Sequence, residues 1–330
     1  MNSRLGKNHP SAYPVAMMRK VSIVLFTLVV SGCLTAFLIW AERRPDAHYL
    51  SDLRSTISSE PAPAQVRGNL LLIRPQLYPL DYQSPAHLRL KLAAALDNAR
   101  QTGLLGPGTL VALPEHIGTW LLARGEKTEF YRALNRKEVR NWLLLGNPLL
   151  AVKALLMNLD AERLDEALLR MKAEQMAEDY QQLFAGLARE YQVTLLAGSI
   201  LLPEPRLEDG QLRSGDGPLR TLSLVFSPEG TIQGEPYYEP WPRQSDTSAP
   251  QRLSAGDMTY IVERDWRPGY PQSRLRLADS DKPSQALFLR GKLGWPIGGA
   301  PREVQLTPQQ VQQSSQAPGS HLLNTWVGAE

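Results

Sequence analysis

The sequence predicts an α/β body carried behind a single membrane-spanning helix. Three observations carry that prediction. Val21–Trp40 is a run of twenty residues without a charge. A strand–helix–strand order follows between Asn69 and Leu113, and further short apolar strands return after a long helical stretch. That order is the pattern of a sheet with parallel strands and crossover helices.

About 20 apolar residues span the hydrocarbon core of a bilayer as a helix, so residues 21–40 read as a transmembrane helix. Before it, Arg4, Lys7, Arg19 and Lys20 stand with no acidic residue, whereas Arg43 and Arg44 beyond it are mixed with Glu42 and Asp46. The positive-inside rule then places residues 1–20 in the cytoplasm and the body outside it, anchored by one pass in the cell (inner) membrane and facing the periplasm. A second reading is open. Val30-Ser31-Gly32-Cys33 is similar to a bacterial lipoprotein lipobox, which would make Cys33 a lipid anchor, although Leu34–Trp40 continues the apolar run. Both readings put the body on the same side, in contact with the lipid bilayer.

Charge and cysteine content exclude several classes. Of 36 Lys and Arg against 33 Asp and Glu, seven basic and four acidic residues fall in residues 1–60, leaving 29 of each sign in residues 61–330. The body has no basic stripe of the kind phosphate binding needs, so nucleic acid is not an expected partner. With Cys33 as the only cysteine, an intramolecular disulfide, a multi-cysteine zinc site and an iron–sulfur cluster are excluded, and the one thiol lies in the membrane segment.

Residues 41–66, polar and with Pro61-Ala62-Pro63, read as a linker. Asn69–Pro75 reads as a buried strand, Ser84–Gln101 as a helix with Leu88, Leu92, Ala95, Leu96 and Ala99 at helical spacing, and Thr109–Leu113 as a second strand. Residues 126–190 read as helical. Within them Trp142–Leu156 is unusually apolar and is broken by Gly146-Asn147-Pro148. It is too short to span a membrane, and two readings stay open: a buried helix pair inserted between sheet elements, or an apolar lid or membrane-facing surface that holds the domain against the bilayer. Val193–Ser199, Thr221–Phe226, Met258–Val262 and Arg274–Leu277 read as further strands. The body is expected to occupy residues 67–300, and the Gln- and Ser-rich residues 301–330 are expected to be a disordered tail.

Four motifs in this order resemble the nitrilase (carbon–nitrogen hydrolase) superfamily over roughly residues 67–285. They are Leu113-Pro114-Glu115 at a strand end; Leu187–Ser199, similar to an "LA-x-E-Y-x-V-x-L-x-x-G-S" passage; Leu224–Gly230, similar to "lvfdpdG"; and Leu253–Asp257, similar to "l-x-pGd". The resemblance implies an α-β-β-α sandwich that associates with further copies of itself. With 47 residues after Pro283, truncation at the C-terminal end is also open.

The resemblance further implies a Glu general base, a Lys that stabilises the tetrahedral intermediate and a Cys nucleophile. Glu115 matches the first. Tyr238 aligns with the Lys, and Leu277, in Leu277-Ala278-Asp279-Ser280-Asp281-Lys282-Pro283, aligns with the Cys. A leucine cannot attack a carbonyl, and a tyrosine supplies no fixed positive charge at neutral pH. Ser280 is a weak substitute nucleophile. Glu115 therefore reads either as a relic of the base or as a strand-end carboxylate held by local donors, and His116 as structural or exposed rather than catalytic. No His, Asp or Glu cluster has metal-ligand spacing, Gly291–Gly299 lacks the context of a phosphate loop, and no cofactor is expected. The expected function is a non-catalytic binding or scaffolding domain that takes a small amide or carboxylate near Glu115. A C–N hydrolase with an unrecognised nucleophile is the alternative.

Overall fold

Helix α1 (Tyr13–Glu42) opens the structure, a computed structural model that describes residues 13–43, 49–133, 135–157, 161–242, 248–267, 270–278, 283–291 and 318–328. Its segment Met18–Glu42 is long and apolar enough to cross a membrane, about 38 Å at 1.5 Å per residue. The hydroxyls of Thr27 and Thr35 donate to the carbonyls of Ile23 and Ser31, each at 2.9 Å, so neither needs water.

The body begins with β1 (Ser55–Ser59), β2 (Val66–Arg74) and β3 (Gln76–Leu77). Helix α2 (Pro85–Gln101) follows, capped by Ser84, whose hydroxyl accepts from the His87 amide at 3.2 Å, with Pro85 at its first position. β4 (Thr109–Ala112) leads into α3 (Thr128–Arg132), α4 (Arg136–Gly146), α5 (Pro148–Met157) and the long α6 (Ala161–Tyr191). Next come β5 (Thr194–Pro203), the small hairpin β6 (Arg206–Glu208) and β7 (Gln211–Arg213), β8 (Leu219–Phe226) and β9 (Tyr237–Pro240). An antiparallel meander follows: β10 (Gln251–Ala255), β11 (Met258–Arg267), β12 (Tyr270–Leu277) and β13 (Gln285–Leu287). β14 (Arg290–Gly291) pairs with β3, and β15 (Ser320–Gly328) ends the described chain.

Seven strands form one mixed sheet in the order β1-β15-β2-β4-β5-β8-β9, with β2, β4 and β5 parallel; the meander forms a second sheet of four. Alternation along each strand divides the core in two. Leu71, Ile73, Val111, Leu195, Leu222 and Leu224 face a helical layer in which α2 and α6 supply Leu88, Leu92, Ala177, Tyr180 and Phe184. Leu70, Leu72, Leu110, Ala112, Leu196 and Val225 face the second sheet, meeting Leu253, Met258, Tyr260, Val262 and Leu275. The described residues thus build three layers: helix, sheet, sheet.

Two sequence expectations are corrected here. The linker expected over 41–66 contains β1, whose Asn98-facing Ser55 and its neighbours run parallel to β15 at the sheet edge. The tail expected to be disordered over 301–330 contains β15, which lies inside the large sheet between β1 and β2. The Gln- and Ser-rich stretch averages away the signal of His321-Leu322-Leu323-Asn324-Thr325-Trp326-Val327; residues 301–317 themselves lie outside the described residues. A buried network fastens β15. Asn69 Nδ2 donates to Asn324 Oδ1 at 2.6 Å, and Thr109 Oγ1 donates to Asn69 Oδ1 at 2.6 Å. Helices α4 and α5 are broken at Asn147, as Gly146-Asn147-Pro148 predicts.

Candidate functional site

The parallel strands deliver Glu115 to one end of the space between the sheets. Beyond β4, the amide of Leu113 donates to the Leu196 carbonyl at 2.9 Å, and the chain then turns sharply through Pro114-Glu115-His116. His116 takes a left-handed backbone conformation with φ 58°, unusual for a residue with a side chain. Its amide donates to Ser199 Oγ at 2.7 Å, and its ring Nδ1 shares a hydrogen bond with Thr119 Oγ1 at 3.0 Å.

Ser199 is available because β5 shifts register between Leu196 and Ser199. The shift turns on Gly198, with φ 70°, where a Cβ would run into the Pro114 carbonyl oxygen. Tyr180 Oη of α6 donates to the Gly198 carbonyl at 2.9 Å and fixes the bulge from behind. Local backbone geometry therefore aims Glu115 into the inter-sheet layer.

Its partner there is Arg264 of β11. Nε donates to Glu115 Oε1 at 2.9 Å, with the side chains of Arg264 and Glu115 only 2% and 6% exposed. Arg264 Nη2 donates to Gln251 Oε1 at 2.8 Å, and the guanidinium carbon lies 3.9 Å from the Tyr237 ring centre. Met258, Tyr260, Val262 and Arg264 form one alternating stripe, so the inward face of the second sheet runs from apolar to polar toward Glu115. Opposite Arg264 in the register is Ser273 of β12.

Four buried polar atoms at this end have no hydrogen-bond partner among the described residues: Arg264 Nη1, Ser273 Oγ, Thr221 Oγ1 and Ser223 Oγ. Thr221 and Ser223 share the β8 face of Val225, which meets the second sheet, and Ser223 pairs with Tyr237 in β9. Arg74, at the end of β2 on the face of Leu70 and Leu72, spans the sheets by donating through Nε and Nη2 to the Ala286 carbonyl at 3.0 and 2.6 Å. Burial pushes the Arg74 guanidinium down to about 10, and the neighbouring Arg290 cation adds to the shift. Burial likewise raises the phenols of Tyr237 and Tyr180. The polar end thus pairs the Arg264 guanidinium with the Glu115 carboxylate, and the Glu239 carboxylate lies nearby against Tyr237, whose hydroxyl donates to Glu239 Oε1 at 3.4 Å.

The other residues singled out from the sequence lie elsewhere. Tyr238 pairs with Leu222 on the opposite face of β9 from Tyr237 and is 37% exposed. Leu277 pairs with Tyr260 at the apolar end, four residues or about 13 Å along β12 from Ser273. Neither makes a polar contact with Glu115. Ser280 and residues 292–299 lie outside the described residues, and Cys33 is exposed on α1. Arg264 and Ser273 were missed from the sequence, although continuing the period-two stripe of Met258–Val262 by one step puts Arg264 on the inner face. Among the described residues no group of three or more His, Cys, Asp or Glu is placed to hold a metal ion.

No family model, no curated protein and no solved structure matches this chain.

Proposed function

We propose that this chain is a membrane-anchored domain, similar to carbon–nitrogen hydrolases, that binds a small carboxylate or its amide between its sheets without hydrolysing it. The observation that carries this reading is Arg264: a buried guanidinium that holds Glu115 and Gln251 yet keeps Nη1 unpartnered. An unmade hydrogen bond on a buried group costs about 1–3 kcal/mol, and more when the group is charged. A ligand carboxylate removes that cost with charge-assisted hydrogen bonds, and the open hydroxyls of Thr221, Ser223 and Ser273 offer it further donors. Catalysis is disfavoured because the Glu115 carboxylate is already held by the Arg264 guanidinium at 2.9 Å, and the position aligned with the cysteine is Leu277, which is no nucleophile. In this reading α1 is a retained span in the cell membrane, with residues 1–20 cytoplasmic and the body outside.

The test uses the full chain in detergent micelles with a panel of small carboxylates and their amides. Thermal unfolding and ammonia release are measured on each. A ligand at a hundredfold excess over its Kd adds about 2.7 kcal/mol of stability. That gain is expected for carboxylates, and it is expected to be lost in Arg264→Met. A panel that shifts nothing overturns the binding reading. Ammonia release that disappears in Glu115→Gln overturns the non-catalytic one.

A second reading, a C–N hydrolase with a hydroxyl nucleophile, is favoured by one observation: Ser273 presents a buried, unpartnered Oγ opposite Arg264. Ammonia release abolished by Ser273→Ala is its signature.

A further inference from the structure

Among the described residues of the body, α5 presents an uncovered apolar surface, and its position says what covers it. Helix α5 has a single charged residue, Lys153, in Pro148–Met157. Leu149, Val152 and Leu156, spaced by three and four residues, fall on one helical face and are 84%, 55% and 80% exposed. Leu145, near the end of α4, is 43% exposed. An exposed apolar face of this kind marks an interaction surface.

The same part of the body grips the end of α1. Lys127 Nζ donates to the Trp40 carbonyl and, at 2.5 Å, to the Arg43 carbonyl. The Lys127 ammonium lies 4.1 Å from the Trp40 ring centre. Ala41 is 1% exposed, and α1 lies against α4. The point where α1 leaves the bilayer is therefore fixed next to α4, and α5 follows α4 after Asn147.

We infer that α5 lies in the membrane interface, with Leu149, Val152 and Leu156 among the lipid chains of the leaflet from which α1 emerges. Its length suits that role. Ten residues span about 15 Å, half the bilayer core, so α5 can rest in the interface but cannot cross. With α1 it gives the body two attachments to one leaflet, which sets its orientation as well as its location. The inference rests on α1 being a span, and the test separates the two.

The full chain is reconstituted into phosphatidylcholine–phosphatidylglycerol vesicles as single-cysteine proteins, each labelled with an environment-sensitive fluorophore. Native Cys33 reports on α1. Leu149→Cys and Leu156→Cys, each in a Cys33→Ser background, report on α5, and both positions are exposed enough to be changed without loss of packing. Leu90→Cys, on the exposed face of α2, is the aqueous reference. Lipids carrying a nitroxide near the headgroup or deep in the acyl chain serve as quenchers. The expected result is quenching of both α5 labels by the shallow nitroxide, about twofold or more above the Leu90→Cys reference, given an interfacial helix depth of about 5–10 Å. Cys33 is expected to respond to the deep nitroxide.

If the α5 labels match Leu90→Cys while Cys33 is quenched, the interfacial helix is overturned and the span stands. Blue-shifted α5 labels that no lipid quenches also overturn it and identify a protein partner or second copy as the cover. If Cys33 is unquenched as well, the span fails and the interfacial helix with it.

Discussion

Arg264 and Glu115 are each too buried to be carried as a lone charge, and this makes a double-mutant cycle at the pair a direct measure of the site. Arg264→Met leaves the Glu115 carboxylate without its 2.9 Å partner, and Glu115→Gln leaves the guanidinium uncompensated. Breaking a buried ion pair from one side costs about 3–5 kcal/mol. For a domain of this size that lowers the unfolding midpoint by on the order of 10 °C. The double variant removes both charges. What it still loses is the hydrogen bond to Gln251 and the stacking on Tyr237, together about 1–3 kcal/mol. The two singles should therefore sum to more than the double by at least about 2 kcal/mol. Thermal and urea unfolding of the full chain in micelles, followed by circular dichroism, measures each corner. Additivity within about 0.5 kcal/mol would refute the coupling, and with it the view that Glu115 is aimed at Arg264.

Gly198→Ala combines a left-handed backbone with a clash against the Pro114 carbonyl, so it should cost more than the roughly 1–3 kcal/mol of backbone strain alone. An unchanged unfolding midpoint would contradict this. Asp179 tests the pH response: burial raises its carboxyl, and Arg124 offsets this only in part. The folded state then binds more protons than the unfolded state between the unfolded value of 3.8 and the higher folded value. Its contribution is complete below 3.8 and is lost as pH rises through the folded value. Asp179→Asn should flatten that part of the stability–pH profile, and a profile parallel to that of the unchanged chain would count against it.

What could be read from the sequence was local, and what was missed was assembled over distance. α2 was legible because Ser84-Pro85 and five apolar residues at helical spacing lie within eighteen consecutive positions, and α4–α5 because Gly146-Asn147-Pro148 breaks them in place. Glu115 was singled out by the resemblance of Leu113-Pro114-Glu115, at the end of its strand, to a family motif. Arg264 lies 149 positions away, and its neighbours Glu263 and Asp265 make the stretch read as a charged surface. Only the alternation begun at Met258 identifies it as inward-facing. β15 was hidden differently. Its partner β2 is 255 residues away at the Asn69–Asn324 bond, and pairing of that kind leaves no local periodicity beyond one short apolar run.

The motifs that resemble carbon–nitrogen hydrolases have mechanical work to do here whether or not a bond is ever broken. Gly198 and Ser199 make the bulge and hold the His116 amide, which sets the turn carrying Glu115. Gly230, with φ 77°, closes the turn after β8 where the Ala185 carbonyl and the Arg189 guanidinium leave no space for a Cβ, and Arg189 Nε donates to the Glu229 carbonyl at 3.0 Å. Such residues are required by the sheet and its loops. The positions aligned with a lysine and a cysteine carry no such duty: Tyr238 sits half-exposed on an edge strand, and Leu277 packs in the apolar end of the inter-sheet layer. Gly198, Ser199 and Gly230 thus serve the sheet and its turns, whereas Arg264 is a buried cation with a hydrogen bond still to make.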